Sequence, residues 1–299
     1  MSRTKILTRA LGLAAIAAAV LGSATAAQAS PVPPKASAAL SGTWVNVNTA
    51  SRSVKQIVVA PTRDGAVSVD AFGSCSPTLC EWGRVPAIVY GTSVSSTTGA
   101  TFQSHQRFLS GTTEWSRTSL VGHVYRTSAG LRLSLRELTV FEDGSGRKNY
   151  AVTEIFQRGE GQKVTINGHN AAAYPHGAPP AMVAAMLGTW TNVAPSGGLV
   201  KVRISNTTAN PVVTAFGQCS PTPCNWGGSK AITYGASISS TRGGMVLAPY
   251  NFGFKRSQLL IRYTVSSAKV ERLTVSTYNE FTDGSGRSNY VKTESFVRA

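Results

Sequence analysis

The chain has 299 residues, 29 Lys+Arg against 13 Asp+Glu, and a formal net charge of +16. At roughly 150 residues per domain this length is one or two domains, and a hydrophobic share of 42 % is enough for a real core, which excludes a mostly disordered chain. Four cysteines are too few for a small disulfide-stapled scaffold.

The first element in chain order is an address. Arg3, Lys5 and Arg9 flank the start of an apolar run over 10–22, and Ala27-Gln28-Ala29 is a small-residue cleavage site. This pattern predicts a secretory signal peptide over 1–29, with an apolar run too short to span a bilayer. The remainder is expected to be a secreted bacterial protein, not membrane-spanning, with a net charge of +13 once those three basic residues are removed. Export lets its cysteines oxidise.

After a lead-in at 30–39 the chain reads as one unit written twice, at 40–158 and 187–299, with a linker and second lead-in over 159–186. GTWVNV at 42–47 returns as GTWTNV at 188–193. AFGSCSPTLCEWG at 71–83 returns as AFGQCSPTPCNWG at 215–227, and AIVYGTSVSST at 87–97 as AITYGASISST at 231–241. FEDGSGRKNYAVTEIFQR at 141–158 returns as FTDGSGRSNYVKTESFVR at 281–298. Chance does not keep order and spacing over a whole domain.

Each unit predicts eight short strands, rich in Val, Ile, Thr, Tyr and Phe and separated by Gly, Ser, Asn and Pro clusters. In the second unit they fall at 189–193, 199–205, 212–216, 231–234, 245–250, 259–264, 272–278 and 290–297. The lead-ins at 35–40 and 181–187 each suit one short helical turn. Strands joined by tight turns at even spacing predict an all-β chain of two tandem eight-stranded antiparallel up-and-down barrels, or sandwiches. Alternation places Tyr150, Glu154, Phe156 and Arg158 on one face of the last strand, and Tyr290, Glu294, Phe296 and Arg298 likewise. If the last strand closes on the first, Arg158 meets Trp44 and Arg298 meets Trp190, a favourable guanidinium–indole stack.

Gly-x-Trp on the first strand, the short turn before it and Arg at the end of the last strand resemble the calycins, the lipocalin and avidin superfamily. GTWVN and GTWTN are similar to the avidin opening, and Ser110–His123 resembles a late streptavidin segment. The resemblance implies a closed barrel, with Asn46, Ser51 and Trp115 near positions that hold biotin. It departs at Val124, where the family carries a biotin-binding aspartate. The pairing of CxPTxCxWG with FxDGSGRxNY also resembles uncharacterised bacterial secreted domains, which imply no activity.

Cys75 and Cys80, and Cys219 and Cys224, are four residues apart, unlike redox dithiols, and lack a nearby His set, so each pair predicts a local disulfide. Trp82 and Trp226 stand beside these clipped loops as recognition or core residues. Asp-Gly in the FxDGSGRxNY motif suits a hairpin loop needing positive φ. A calcium loop would need a bidentate Glu that is missing, and an anion nest with Arg147 or Arg287 is the other reading. Glu154 and Glu294, if inward, are buried carboxylates near Tyr150 and Tyr290, either salt-bridged or a general acid–base pair. Histidines are confined to the first unit and the linker, so no His-based metal or catalytic site is shared by both units. The basic excess is +4 in the first unit and +8 in the second, and is dispersed. That argues against nucleic acid and towards an anionic surface.

These features predict a non-catalytic secreted binder without a cofactor or metal, its ligand in a barrel mouth or on the disulfide-clipped loops. Its partner is an unknown small molecule or an extracellular protein. The ligand candidates are Trp82, Tyr90, Tyr150, Glu154, Trp226, Tyr234, Tyr290 and Glu294. The alternatives are a secreted protease inhibitor presenting the disulfide loops, and a lipocalin-fold enzyme using the Glu/Tyr pair.

Overall fold

The structure is a computed structural model that describes residues 34–63, 66–161, 164–165, 180–206 and 210–299. The predicted signal peptide and most of the linker, including His169 and His176, lie outside the described residues.

The first barrel is a meander of β1 (Gly42–Asn46), β2 (Val54–Pro61), β3 (Val67–Gly73), β4 (Leu79–Tyr90), β5 (Thr101–Ser110), β6 (Thr113–Thr127), β7 (Gly130–Phe141) and β8 (Tyr150–Arg158). Each strand pairs antiparallel with its sequence neighbours, and β8 closes on β1 with Arg158 opposite Trp44. The second barrel repeats this with β9 (Gly188–Asn192), β10 (Leu199–Ser205), β11 (Val212–Gly217), β12 (Cys224–Lys230), β13 (Ile232–Tyr234), β14 (Met245–Asn251), β15 (Lys255–Val265), β16 (Glu271–Phe281) and β17 (Tyr290–Arg298). Here the fourth strand is broken at Ala231 into β12 and β13: the Ala231 N–H continues the β11–β12 register by donating to the Pro211 carbonyl (2.8 Å), but Pro211 has no N–H to return. This strand begins at Cys224, earlier than the sequence reading placed it, because the disulfide loop feeds straight into it. Two tandem antiparallel barrels are therefore the architecture.

One end of each barrel is plugged by its lead-in. Lys35–Ala36 and Ala181–Met182 each add a two-residue parallel bridge, to Thr98–Gly99 and Arg242–Gly243. Only the second lead-in then makes a helical turn, the 3₁₀ turn Ala184–Met186. The first makes a simple turn, with the Leu40 N–H donating to Ser37 O. The buried Trp44 and Trp190 donate their indole N–H to Leu40 O (2.9 Å) and Met186 O (3.0 Å). Arg158 lies 4.1 Å over Trp44 and Arg298 4.5 Å over Trp190, as closure of the last strand on the first predicts. Their guanidiniums also donate to the lead-in carbonyls of Ala39, and of Ala185 and Leu187. One side chain thus ties the last strand, the first strand and the plug together.

The barrels pack against each other through outward side chains: Tyr90, Val121, Leu138 and Val140 against Tyr234, Leu260 and Tyr278. The repeated motifs supply the backbone of this seam. Gly91 N–H donates to Asn289 O and Val291 N–H to Gly91 O, and the mirror pair is Gly235 to Asn149 and Ala151 to Gly235. Lys148 N–H reaches Ile238 O and Ser288 N–H reaches Val94 O. The DGSGRxNY loop of each barrel therefore docks on the YGxSxSS loop of the other. The first loop sits at the open end and the second at the plugged end, so the barrels lie antiparallel and their open ends point in opposite directions.

Arg298→Ala is expected to lower stability by about 1–2 kcal/mol, from lost charge-assisted hydrogen bonds and ring stacking. Arg298→Lys keeps the charge but not the fork and is expected to recover less than half of that loss. Urea denaturation followed by tryptophan fluorescence measures both.

Candidate functional site

The open ends, or mouths, of the two barrels are built from matching side chains. The interior face of β7 runs Leu133, Leu135, Glu137, Thr139, Phe141, and that of β16 runs Leu273, Val275, Thr277, Asn279, Phe281. Each is apolar at the plugged end and polar toward the mouth. At the rim, Trp82 meets Phe108 edge-on at 5.2 Å and Trp226 meets Phe252 edge-on at 5.0 Å. Phe141 stacks with Tyr150, and Phe281 with Tyr290, both at 6.2 Å. Arg147 covers Phe141 (4.3 Å) and Trp115 (4.9 Å), while Arg287 covers Phe281 (4.1 Å) and Phe254 (5.2 Å).

The DGSGR loops aim those arginines. Gly144, Gly146, Gly284 and Gly286 have positive φ. Ser145 N–H donates to Asp143 Oδ1 and Ser285 N–H to Asp283 Oδ1. Arg147 and Arg287 donate to the remaining carboxylate oxygens and to the serine hydroxyls. In this geometry the motif is an arginine holder. The hydrogen bonds from Ser145 and Arg147, set against partial burial, hold the Asp143 carboxyl below its usual range.

Below the rim lie the carboxylates, and here the barrels differ. Asn46 Nδ2 donates to Glu154 Oε2 (2.8 Å) and Asn192 Nδ2 to Glu294 Oε1 (3.0 Å). In the second barrel Glu294 also accepts from Leu199 N–H (3.1 Å) and pairs with Lys292 (3.4 Å). In the first barrel the matching N–H, on Val54, faces Glu137 (3.4 Å), and Ser53 Oγ donates to the same carboxylate. A Cβ on Gly198, the counterpart of Ser53, would stand 2.5 Å from Glu294 Oε1, so glycine is what lets Glu294 turn inward. Glu137 is fully buried, and its burial, with Glu154 nearby, pushes its pKa up to about 7. Burial likewise raises Tyr150, against the pull of the Thr139 and Ser53 hydroxyls.

The second mouth holds a pocket of about 130 Å³ lined by Trp226, Lys255, Thr277, Asn279, Tyr290 and Glu294, among others. Trp226 can lie across Gly217 because a Cβ there would stand 2.7 Å from its indole nitrogen. Lys255 Nζ sits 5.0 Å from Trp226, 5.1 Å from Phe252 and 3.2 Å from Asn279 Oδ1. Desolvation, then the Arg287 charge, lowers its pKa. The Thr277 hydroxyl in this pocket is buried without a hydrogen-bond partner.

Of the sequence candidates, Trp226, Tyr290 and Glu294 converge on this pocket, and Trp82, Tyr150 and Glu154 stand at the first mouth. Tyr90 and Tyr234 lie in the seam between the barrels, because β4 and β13 turn those positions outward. Cys75–Cys80 and Cys219–Cys224 are disulfides closing exposed loops beside the mouths. Of the avidin-like positions, Asn46 and Trp115 are at the first mouth. Ser51 is buried in the turn before β2, and Val124 is in the core. The sequence reading missed Glu137, Lys255 and the rim phenylalanines. Glu137 had one signal: it is a lone acid on the apolar-alternating run LRLSLRELTVF at 131–141.

No group of three or more metal-ligating side chains occurs among the described residues. No described helix is long and apolar enough to cross a membrane. No protein-family model matches the chain, and no curated protein matches it either.

Because the folded Glu137 carboxyl binds its proton more tightly than the unfolded one, stability is expected to fall as pH rises from about 4.5 to about 7. Glu137→Gln removes this titration: its amide oxygen still accepts from Val54 while its NH₂ faces Ser53. The variant is expected to match the parent near the low end of that window and exceed it in stability above the high end. Urea midpoints across pH would show this.

Proposed function

We propose that the chain is a secreted, non-catalytic binding protein of calycin-like barrels, with its ligand held in a barrel mouth. The observation that carries this reading is the second mouth. Trp226, backed edge-on by Phe252, and Tyr290 form apolar walls there, while Lys255, Glu294, Asn279 and the unpartnered Thr277 hydroxyl offer polar groups. A few fixed polar groups among aromatic walls is the usual make-up of a small-molecule site. The pocket's roughly 130 Å³ is well below the 300–1,000 Å³ of drug-sized sites. It suits one polar ring, such as a single sugar unit or a similar end group. Export of the chain is part of the same reading, supported by the two disulfides.

A second reading is favoured by the exposure of 219–225: the clipped CSPTxC loops present a surface to another extracellular protein, as a protease inhibitor does. The two readings separate on reduction. Loop presentation needs intact disulfides, whereas a ligand in the mouth contacts neither cysteine pair.

Titration of tryptophan fluorescence with monosaccharides, short glycans and biotin is expected to give saturable binding to at least one sugar. Lys255→Met and Trp226→Phe should each weaken it by about tenfold or more, near the 1.4 kcal/mol that one good contact supplies. A silent panel, or binding that ignores both substitutions, would count against the mouth as the site.

A further inference from the structure

Where the barrels meet, a groove of about 470 Å³ opens beside the seam, separate from both mouths. The charged side chains among its described lining residues are Arg136 from the first barrel and Arg262 from the second, and beside them stands the His123 imidazole, whose pKa burial lowers. No carboxylate lines it among the described residues. Neither Arg136 nor Arg262 forms an ion pair among the described residues. Arg136 donates its Nε–H to Thr153 Oγ1 (3.2 Å), which leaves the terminal nitrogens of its fork for the groove. By register, Arg262 pairs with Thr274 as His123 pairs with Ser134, so Arg262 and His123 are counterparts on the two barrels.

Two guanidiniums facing one partly enclosed space repel each other, and the repulsion grows as water is excluded. Arg136 feels this, since burial and then the Arg262 charge work against its own. The walls add hydroxyls from Thr101, Ser134, Ser276 and Thr293. Paired guanidinium forks with nearby O–H donors match the oxygens of a tetrahedral oxyanion. The volume also falls within the range of small-molecule sites, leaving space for an organic body behind the anion.

We propose that this groove binds a small ligand bearing a tetrahedral oxyanion, a phosphate or sulfate ester, held between Arg136 and Arg262. Such a ligand touches both barrels, so its binding stabilises their packing as well as the fold.

The test is a thermal melt of the full chain at matched ionic strength with inorganic phosphate, inorganic sulfate, glucose 6-phosphate, glucose 6-sulfate or glucose. Glucose 6-phosphate or glucose 6-sulfate is expected to raise Tm in a saturable way, the better of the two naming the ester, while glucose does not. Arg262→Gln, at an exposed position, and Arg136→Gln should each weaken the effect about tenfold or more. Arg203→Gln, an exposed arginine on β10, should leave it intact. An equal rise in Arg262→Gln, an equal loss in Arg203→Gln, or no rise with any anion would overturn the proposal. If Arg136→Gln fails to fold, Arg262→Gln carries the test alone.

Discussion

The contact on which the rest depends is the closure of the last strand of each barrel on the first. An open sheet of short strands leaves two edges of unpaired N–H and C=O groups, and closure removes them. Arg158 and Arg298 act at that junction, each spanning the first strand's tryptophan and the carbonyls of the lead-in plug. With the plugged end fixed, the interior alternates reliably. Apolar residues fill the lower layers, and the polar and aromatic residues are left at the mouth. The site candidates are therefore a consequence of barrel closure as much as of local sequence.

Much of this frame is legible in the sequence. Order and spacing of the repeated motifs point to two copies, and period-two alternation puts Tyr150, Glu154, Phe156 and Arg158 on one face of the last strand. The disulfides followed from their spacing. The seam was not legible, and the reason is physical. Its central hydrogen bonds join the backbone of Gly91, Asn149, Gly235 and Asn289, and backbone pairing leaves no side-chain signature. The apolar seam residues Leu138 and Tyr278 sit on strands whose other face is also buried. There the simple apolar–polar alternation fails.

The candidate site was legible in part, for a related reason. Comparing the copies draws attention to residues present in both, such as Glu154 and Glu294. Glu137 and Lys255 differ between the copies, and only geometry shows what they do. The Glu137 carboxylate takes the N–H of Val54 in one barrel, and the Glu294 carboxylate takes the N–H of Leu199 in the other. The same anion position is filled from neighbouring strands. The DGSGR motif reads as a turn and is one, but its turn also aims Arg147 and Arg287 across the rim rings. A duplicated scaffold has kept its frame and let the contents of its two mouths diverge.

The antiparallel packing of the barrels has a geometric outcome for anything tethered. Two mouths that open in opposite directions cannot both face one flat surface, so under the binding role proposed above such a surface would offer the chain no avidity. On that reading the two mouths would meet separate objects, one at each end, as a coupler does rather than a double grip.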